Sequence, residues 1–313
     1  MSDHEASIGG GTLPCVTAII TTFNRRAFLG NAIDSVLAQS LTDFELIILD
    51  NDSSDGTDAL VSGYTDPRIR YRKHRAMGIA EQRNLGVDLA RGEFIAFLDD
   101  DDVWLPCKLE AQYRKFLNSD GTVGLVYGGF VFYDDAGREW GTHVPRLRGS
   151  ILEPLLWAND PFTGSASNPM LRKSTVVNVG GYDPRVKVGE DWELYLRLAK
   201  RYRVEFTTDV VLRIRQHSGA RLGDKVDAAL ATERHAYVRY LRPMSNALKS
   251  RYLRTMGGKC IRLGRSARGR RFLALAIVLN PRNIYAYIQS LLSFFSPASY
   301  RHFHRLYRKY LRS

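Results

Sequence analysis

At 313 residues with 44% hydrophobic side chains, the chain has the length and apolar content of one large globular domain or two of ordinary size. Its three cysteines, Cys15, Cys107 and Cys260, lie far apart without metal-like spacing, which excludes a disulfide framework and a zinc site and fits a reducing compartment. The net charge of +12 is uneven, because residues 225–313 hold 19 Lys or Arg against Asp227 and Glu233 alone; the first 224 residues are net acidic and suited to a metal, the tail to phosphate on an anionic membrane or a nucleic acid.

Residues 1–13 carry Asp3 and Glu5 and no apolar run, so they read as a flexible lead-in and not as a secretory signal. Val16 to Thr22 reads as a first strand, and Asn24 stands where it would cap the next helix. In that helix Leu29, Ala32, Ile33, Val36 and Leu37 recur at three- and four-residue spacing, which turns one apolar face to a sheet. Phe44 to Leu49 gives a second strand, ending in the polar turn Asp50-Asn51-Asp52-Ser53-Ser54-Asp55-Gly56. Ile69 to Lys73 reads as a short third strand, 79–90 as a helix and Glu93 to Leu98 as another strand. This alternation means parallel βαβ units and an α/β fold. No Gly-rich phosphate loop follows the first strand, where Thr21-Thr22-Phe23-Asn24-Arg25 stands instead; that speaks against a dinucleotide fold or a Walker-type NTPase.

The stretch from Phe94 to Pro106 carries the chemistry. A buried apolar strand runs straight into Asp99-Asp100-Asp101-Asp102 before Pro106 opens a helix. Four adjacent carboxylates raise one another's pKa unless a cation is present. Oxygen-only ligands favour a hard ion, Mg²⁺ or Mn²⁺, shared with substrate phosphates. Ligands of open α/β sheets bind beyond the carboxyl ends of the strands, where these aspartates fall.

Downstream, Val123 to Tyr133 alternates as a strand, and 139–165, with Trp140 and Trp157, reads as loops that either pack on the domain or form an acceptor site. Glycines and Pro184 make a loop before a helix opening with Glu190-Asp191-Trp192-Glu193, where acids also stabilise the helix dipole. Val204 to Arg215 is a strand that leads to His217. From about residue 225 the pattern turns to Arg-rich helices. Neither Phe272–Leu279 nor Ile284–Phe295 reaches the ~20 residues that span a bilayer; the basic flanks fit either an interfacial helix or a bundle with a solvated face.

Taken together, Thr21-Thr22-Phe23-Asn24-Arg25, Ser35-Val36-Leu37-Ala38-Gln39-Ser40, Asp43 to Asp50, Arg83-Asn84-Leu85-Gly86 and the Phe94–Pro106 stretch resemble the inverting family 2 glycosyltransferases of GT-A fold, over roughly residues 14–215. The resemblance implies a Rossmann-like, mostly parallel sheet flanked by helices over 14–220, with 14–105 binding a nucleotide sugar and 106–220 forming the acceptor and catalytic part. Residues 221–313 are then a basic helical C-terminal region. It implies that Thr21, Phe23 and Asp50 lie against a uracil or similar base, that Asn51 stands at the same turn, where many relatives carry a second aspartate, and that Asn24 and Arg25 belong to the donor site. Arg83 and Asn84 would lie near the donor sugar or diphosphate, Asp99 and Asp100 near the ribose and metal, and Asp101 would be the principal ligand for Mn²⁺ or Mg²⁺, helped by Asp99. The four adjacent aspartates leave this register open. Asp191 would be the general base, with Glu190 supporting it, and His217 would approach the metal or diphosphate.

The implied reaction moves a sugar from a nucleotide-diphosphate sugar, a UDP-sugar first of all, to a hydroxyl of a saccharide or lipid-linked saccharide. Its setting would be cell-surface polysaccharide, lipopolysaccharide or lipid-linked oligosaccharide assembly, in the cytoplasm or peripherally on the inner face of the membrane. A sugar-phosphate nucleotidyltransferase would call for the missing Gly-rich loop. The other alternative is an inactive binding protein with a basic nucleic-acid or membrane-binding tail, but that tail shows no module that reads nucleic acid and the acidic front would repel a polyanion, so no nucleic acid is expected.

Overall fold

The structure is a computed structural model that describes residues 13–157, 163–216, 231–232, 235, 239–240, 244–262 and 264–294. Two compact units make up the chain: Met1–Gly149, Thr163–Pro184 and Arg197–Gly219 form the first, and Ser150–Phe162, Arg185–Leu196 and Ala220–Ser313 the second.

The strands are β1 (Val16–Thr22), β2 (Phe44–Asp50), β3 (Ile69–Lys73), β4 (Phe94–Asp99), β5 (Val103–Trp104), β6 (Val123–Tyr133), β7 (Glu139–His143), β8 (Met170–Arg172) and β9 (Arg203–Arg215). The helices are α1 (Arg26–Leu37), α2 (Thr57–Ser62), α3 (Ile79–Leu89), α4 (Lys108–Leu117), α5 (Leu152–Trp157), α6 (Lys173–Asn178) and α7 (Glu190–Ala199). Three more follow in the second unit: α8 (Asn246–Arg262), α9 (Ser266–Leu279) and α10 (Ile284–Leu292).

One mixed sheet organises the first unit, in the order β3-β2-β1-β4-β8-β6-β9-β5, with β7 on β6. The first four strands are parallel. β8 is antiparallel to both β4 and β6, and β6 runs parallel to β9. Every residue of β1 and β2 is buried, as continuous Val/Ile/Leu runs require when helices cover both faces of a sheet. Leu29, Ala32, Ile33 and Val36 of α1 join Ile20, Ile48 and Leu98 in the core, so the three- and four-residue spacing of that helix does face the sheet. Helix α3 approaches β1 closely enough that a Cβ on Gly86 would sit 2.9 Å from Ile19 Cγ2; only glycine fits that crossing.

The expected cap is not made by Asn24. That residue takes a left-handed φ of 51° and its Oδ1 accepts the Ser54 N–H at 2.8 Å, while Asp55 Oδ2 accepts the first N–H of α1, from Arg26, at 2.9 Å. Asn24 therefore ties the ends of β1 and β2 together.

The Ser35–Ser40 segment has a structural task. Gln39 Nε2 donates to the Leu105 carbonyl and its Oε1 accepts the Leu109 N–H, both at 2.9 Å. Ser35 Oγ accepts the Trp104 N–H at 3.2 Å, and Ser40 N–H donates to the Pro106 carbonyl at 2.9 Å. Together they clamp the chain leaving the acidic turn onto the C-terminal end of α1.

Candidate active site

Strand register brings the site together at one edge of the first unit. Thr21 pairs with both Leu49 and Asp99, and Thr22 with Asp50. The carboxyl ends of β1, β2 and β4 are therefore level, and the acidic turn after β4 opens from that edge.

The four aspartates divide by partner. Asp102 is buried at 3% exposure: its Oδ2 accepts the hydroxyls of Ser165 at 2.8 Å and Ser167 at 2.6 Å, and its Oδ1 accepts the Arg215 N–H at 3.0 Å. Asp99 Oδ1 lies 3.1 Å from Arg83 Nη2, and its backbone N–H donates to Ser167 Oγ at 3.0 Å. Arg25 Nη1 reaches Asp101 Oδ2 at 2.5 Å and Asp100 Oδ1 at 3.6 Å. The Tyr133 hydroxyl donates to the Asp101 carbonyl at 3.1 Å.

Burial pushes the Asp100 carboxyl up to about 7; the Thr22 hydroxyl and the Arg25 guanidinium pull it back down, and the charges of Asp101 and Asp99 add to the rise. Burial likewise raises Asp102, aided by Asp99 and Asp101 and opposed by the two serine hydroxyls. Burial works against the charge on Arg25, yet Asp100 and Asp101 hold its pKa above the usual value. The turn thus sets four carboxyl groups against two arginines, and the strain shows as the raised pKa values of the two buried ones.

Among the described residues no three His, Cys, Asp or Glu converge as a ready metal cage. Asp99 and Asp101 offer oxygen donors only, beside two further carboxyl groups whose pKa values are raised. Such a set fits a hard divalent ion that takes its other ligands from substrate phosphates and water.

Other expected donor residues have partners within the fold. Asp50 is wholly buried, its Oδ1 accepting the Ser53 N–H at 2.8 Å and its Oδ2 the Tyr71 hydroxyl at 2.5 Å. Asn51 grips the backbone of Met77, donating to its carbonyl at 3.1 Å and accepting its N–H at 2.9 Å. Asn84 does the same to Tyr182, at 2.8 and 2.7 Å, and so fixes the loop after α6 to α3. Thr21 is nearly buried, whereas Phe23 is 53% exposed at the end of β1. The Arg83 guanidinium lies 5.7 Å from the Phe97 ring centroid and 5.6 Å from that of Tyr182, which orients it toward Asp99.

Glu190 and Asp191 open α7 and belong to the second unit. Glu190 is buried, and Asp191 Oδ1 accepts the Trp192 N–H at 2.8 Å. Their neighbour Glu193 is the structural acid of this turn: it is fully buried and accepts the Tyr240 hydroxyl at 3.0 Å, with Arg239 Nη1 at 3.7 Å. His217 lies outside the described residues.

Sequence reasoning puts 163–165 in a loop but names none of Ser165, Ser167 and Asn168 for the site. Gly164, at a φ of +75° and where an added Cβ would lie 2.6 Å from Phe130 Cζ, turns the chain so that Ser165 and Ser167 meet Asp99 and Asp102. Asn168 then pins the loop to β6, accepting the Gly128 N–H at 2.8 Å and donating to its carbonyl at 2.9 Å. The signal available was the small polar run Ser165-Ala166-Ser167-Asn168 directly before a buried strand.

Comparison with known proteins agrees with this architecture. A UDP-glucose-dependent β-1,3-glucosyltransferase of Escherichia coli, WfgD, is 37% identical over 116 residues, 37% of this chain and 45% of that protein. The succinoglycan biosynthesis protein ExoO of Rhizobium meliloti is 26% identical over 303 residues, 93% of this chain and 84% of that one. Among solved structures, S. aureus TarS 1–349 superposes with a TM-score of 0.61 at 16% identity, covering 94% of this chain and 91% of that one, and also matches as its UDP-GlcNAc complex. The mannosyltransferase PcManGT of Pyrobaculum calidifontis, solved with GDP-Man and Mn²⁺, has a TM-score of 0.56 at 19% identity, covering 96% and 86%. These structural likenesses speak to the fold, a mixed α/β GT-A sheet. The model of the Glycosyl transferase family 2 matches residues 17–178, a span holding the parallel strands, the acidic turn and the serine loop, and the chain belongs to that family.

Proposed function

We propose that this glycosyltransferase takes a sugar from a UDP-sugar and places it, with inversion, on a hydroxyl of a lipid-linked or polysaccharide acceptor. The observation that carries the reading is the acidic turn after β4, where Asp99 and Asp101 are held by Arg83 and Arg25 at the level edge of β1, β2 and β4. Two further facts support it: a UDP-glucose-dependent relative and a relative named for polysaccharide assembly.

In this reading the diphosphate of the donor lies at the Asp99–Asp101 turn, where Asp99 and Asp101 would hold Mn²⁺ or Mg²⁺. Such an ion would supply Lewis-acid stabilisation of the charge that grows on the leaving diphosphate. Arg25, released from Asp101, and Arg83 carry positive charge to the same phosphates. Thr21 and the exposed ring of Phe23 bound the nucleoside end. Asp191, assigned by the family resemblance, takes the proton of the acceptor hydroxyl as its oxygen bonds to the anomeric carbon from the face opposite the diphosphate; the carbon–oxygen bond to the phosphate breaks and the nucleoside diphosphate departs with the electron pair. General-base help of this kind is worth ~10²- to 10⁴-fold.

The test is the melting temperature of the whole chain with UDP, GDP, CDP and TDP, each with and without Mn²⁺. A ligand at 100 times its dissociation constant adds ~2.7 kcal/mol, a shift of several degrees. UDP is expected to stabilise only with metal, and Asp101→Ala to lose the shift. A metal-independent shift that survives Asp101→Ala would refute the assignment of the acidic turn, and a larger shift with GDP would move the donor class.

A further inference from the structure

The end of the second unit has its polarity reversed. In α10 and its flanks the buried residues are Asn283, Ala286, Gln289 and Ser293, while Ile284, Tyr287, Ile288, Leu291 and Phe294 are exposed, the last two at 71% and 74%. Ile284, Ile288 and Leu291 recur at helical spacing and share one face. Leu275 and Val278 on α9 are exposed as well. A helix packed in water turns its apolar face inward; this one turns it outward.

Hydrogen bonds fix that orientation. Asn283 Nδ2 donates to Ser250 Oγ at 2.9 Å, and Ser250 Oγ donates to the Ala276 carbonyl at 2.6 Å. Arg270 Nη1 donates to the Ser293 carbonyl at 3.2 Å. Rolling α10 to hide its aliphatic side chains would break these bonds and expose Ala286 and Gln289 in their place, so the outward apolar row is a built feature.

Cations border the row. The guanidinium of Arg270 lies 5.2 Å from the Phe294 ring centroid and that of Arg254 lies 5.8 Å from Tyr285, while Arg271 and Arg282 are exposed. No charged residue occurs from Asn283 to Tyr300. An apolar row fringed by arginines matches the layering of an anionic leaflet, phosphate outside and acyl chain within. A second copy of this chain would set arginine fringe against arginine fringe, with almost no acids in the region to meet them.

We infer that α10 and the C-terminal half of α9 form a docking surface for an anionic lipid bilayer, with Ile284, Ile288, Leu291 and Phe294 entering the headgroup boundary and Arg271 and Arg282 meeting lipid phosphates. At nine residues α10 is about 14 Å long, and no described helix is long and apolar enough to cross a membrane, so the contact is in the plane of the interface. The inference needs neither donor nor metal and stands apart from the proposed reaction.

The experiment is co-sedimentation of the full chain with vesicles of phosphatidylcholine alone or mixed with phosphatidylglycerol, at low and moderate salt. The parent chain is expected to pellet with the anionic vesicles only, less so at moderate salt. The Ile288→Ser/Leu291→Ser variant should lose binding by roughly tenfold or more, and Arg271→Gln/Arg282→Gln by roughly tenfold. Both variants change exposed side chains, so their melting temperatures and UDP–Mn²⁺ shifts should match the parent's, which separates failure of this inference from failure of the donor reading. Supernatant protein under every condition, or anionic binding that both variants retain, overturns the proposal. So does a dimer in sedimentation equilibrium that only the serine variant dissociates, since it would assign the row to a second copy.

Discussion

Strands β2 and β4 leave the same edge of the same sheet, and each ends in an acid-rich turn, yet the two turns use their carboxylates in opposite ways. After β2, Asp50 binds the Ser53 N–H and the Tyr71 hydroxyl, and Asn51 binds the Met77 backbone twice. That turn satisfies itself. After β4, Asp102 is consumed in this manner, by Ser165, Ser167 and the Arg215 N–H, while Asp99, which also accepts the Ser165 hydroxyl at 3.2 Å, and Asp101 are met by arginines from α3 and from the turn before α1. A carboxylate bonded to the backbone of its own turn is fixed, but one paired to a long flexible guanidinium can exchange that partner for a ligand. The composition of a turn therefore does not mark a site; the kind of partner does.

The largest expected effect lies at the exchangeable end. Asp101→Ala should lower turnover by at least ~10²-fold, the size seen when one electrostatic group is removed from a charged transition state, and it should change the melting temperature little, because the Arg25 pair it removes is partly exposed and a like charge beside Asp100 and Asp102 goes with it. Turnover with a UDP-sugar and a thermal melt on the same preparation decide it. Near-normal turnover would put the β4 turn in the same class as the β2 turn.

The opposite signature is expected for Asp50→Ala. Two hydrogen bonds to a buried carboxylate disappear and the Ser53 N–H and Tyr71 hydroxyl lose their acceptor, a loss of ~2–4 kcal/mol, while turnover per folded molecule persists below the melting temperature. Urea denaturation measures the first and active-fraction kinetics the second. Unchanged stability with lost nucleotide binding would show that Asp50 faces the donor, as the family resemblance implies, and would erase the contrast between the two turns.

Much of this arrangement was legible in the sequence, and the rest was hidden for identifiable reasons. Continuous apolar runs give β1, β2 and β4 away, and the four aspartates after β4 single out that turn because nothing local could neutralise them. The partners that decide each carboxylate's role are remote: Arg25 is 76 residues from Asp101, and Ser167 is 65 from Asp102. Strands β5 and β8, of two and three residues, are too short to show a period, yet β8 sets the antiparallel crossing between β4 and β6. Asn24 has the residue type of a cap, but a left-handed backbone and a partner 30 residues away claimed it. The chain passes from the first unit to the second at Gly219 and Ala220, beside the boundary expected near residue 220, but the second unit also draws in 150–162 and 185–196; interleaving of that kind leaves no shift in composition along the chain.

The smallest expected effect tests how the serine loop beside the β4 turn is held. Lys108 is fully buried; its Nζ donates to Gln112 Oε1 at 2.6 Å and to the Asn168 carbonyl at 2.9 Å, and lies 4.4 Å from the Trp104 ring centroid. Burial pushes its pKa well below the ordinary 10.5, so over the range between the two values the unfolded chain binds a proton that the folded chain does not. Stability should then be fullest near the ordinary lysine value and fall as pH drops toward the folded one. Lys108→Met keeps the length and the contact with Trp104, and Gln112 Nε2 still donates to the Asn168 carbonyl at 2.8 Å, so the net change near pH 9 should be within ~1–2 kcal/mol. The decisive reading is the difference in slope: urea midpoints of the parent should rise between pH ~6 and ~9 more steeply than those of the variant, since only the parent must take up a proton in its core on unfolding. Equal slopes would mean that Lys108 keeps its charge when folded, and that the loop carrying Ser165 and Ser167 is held by an ammonium and not by a neutral amine.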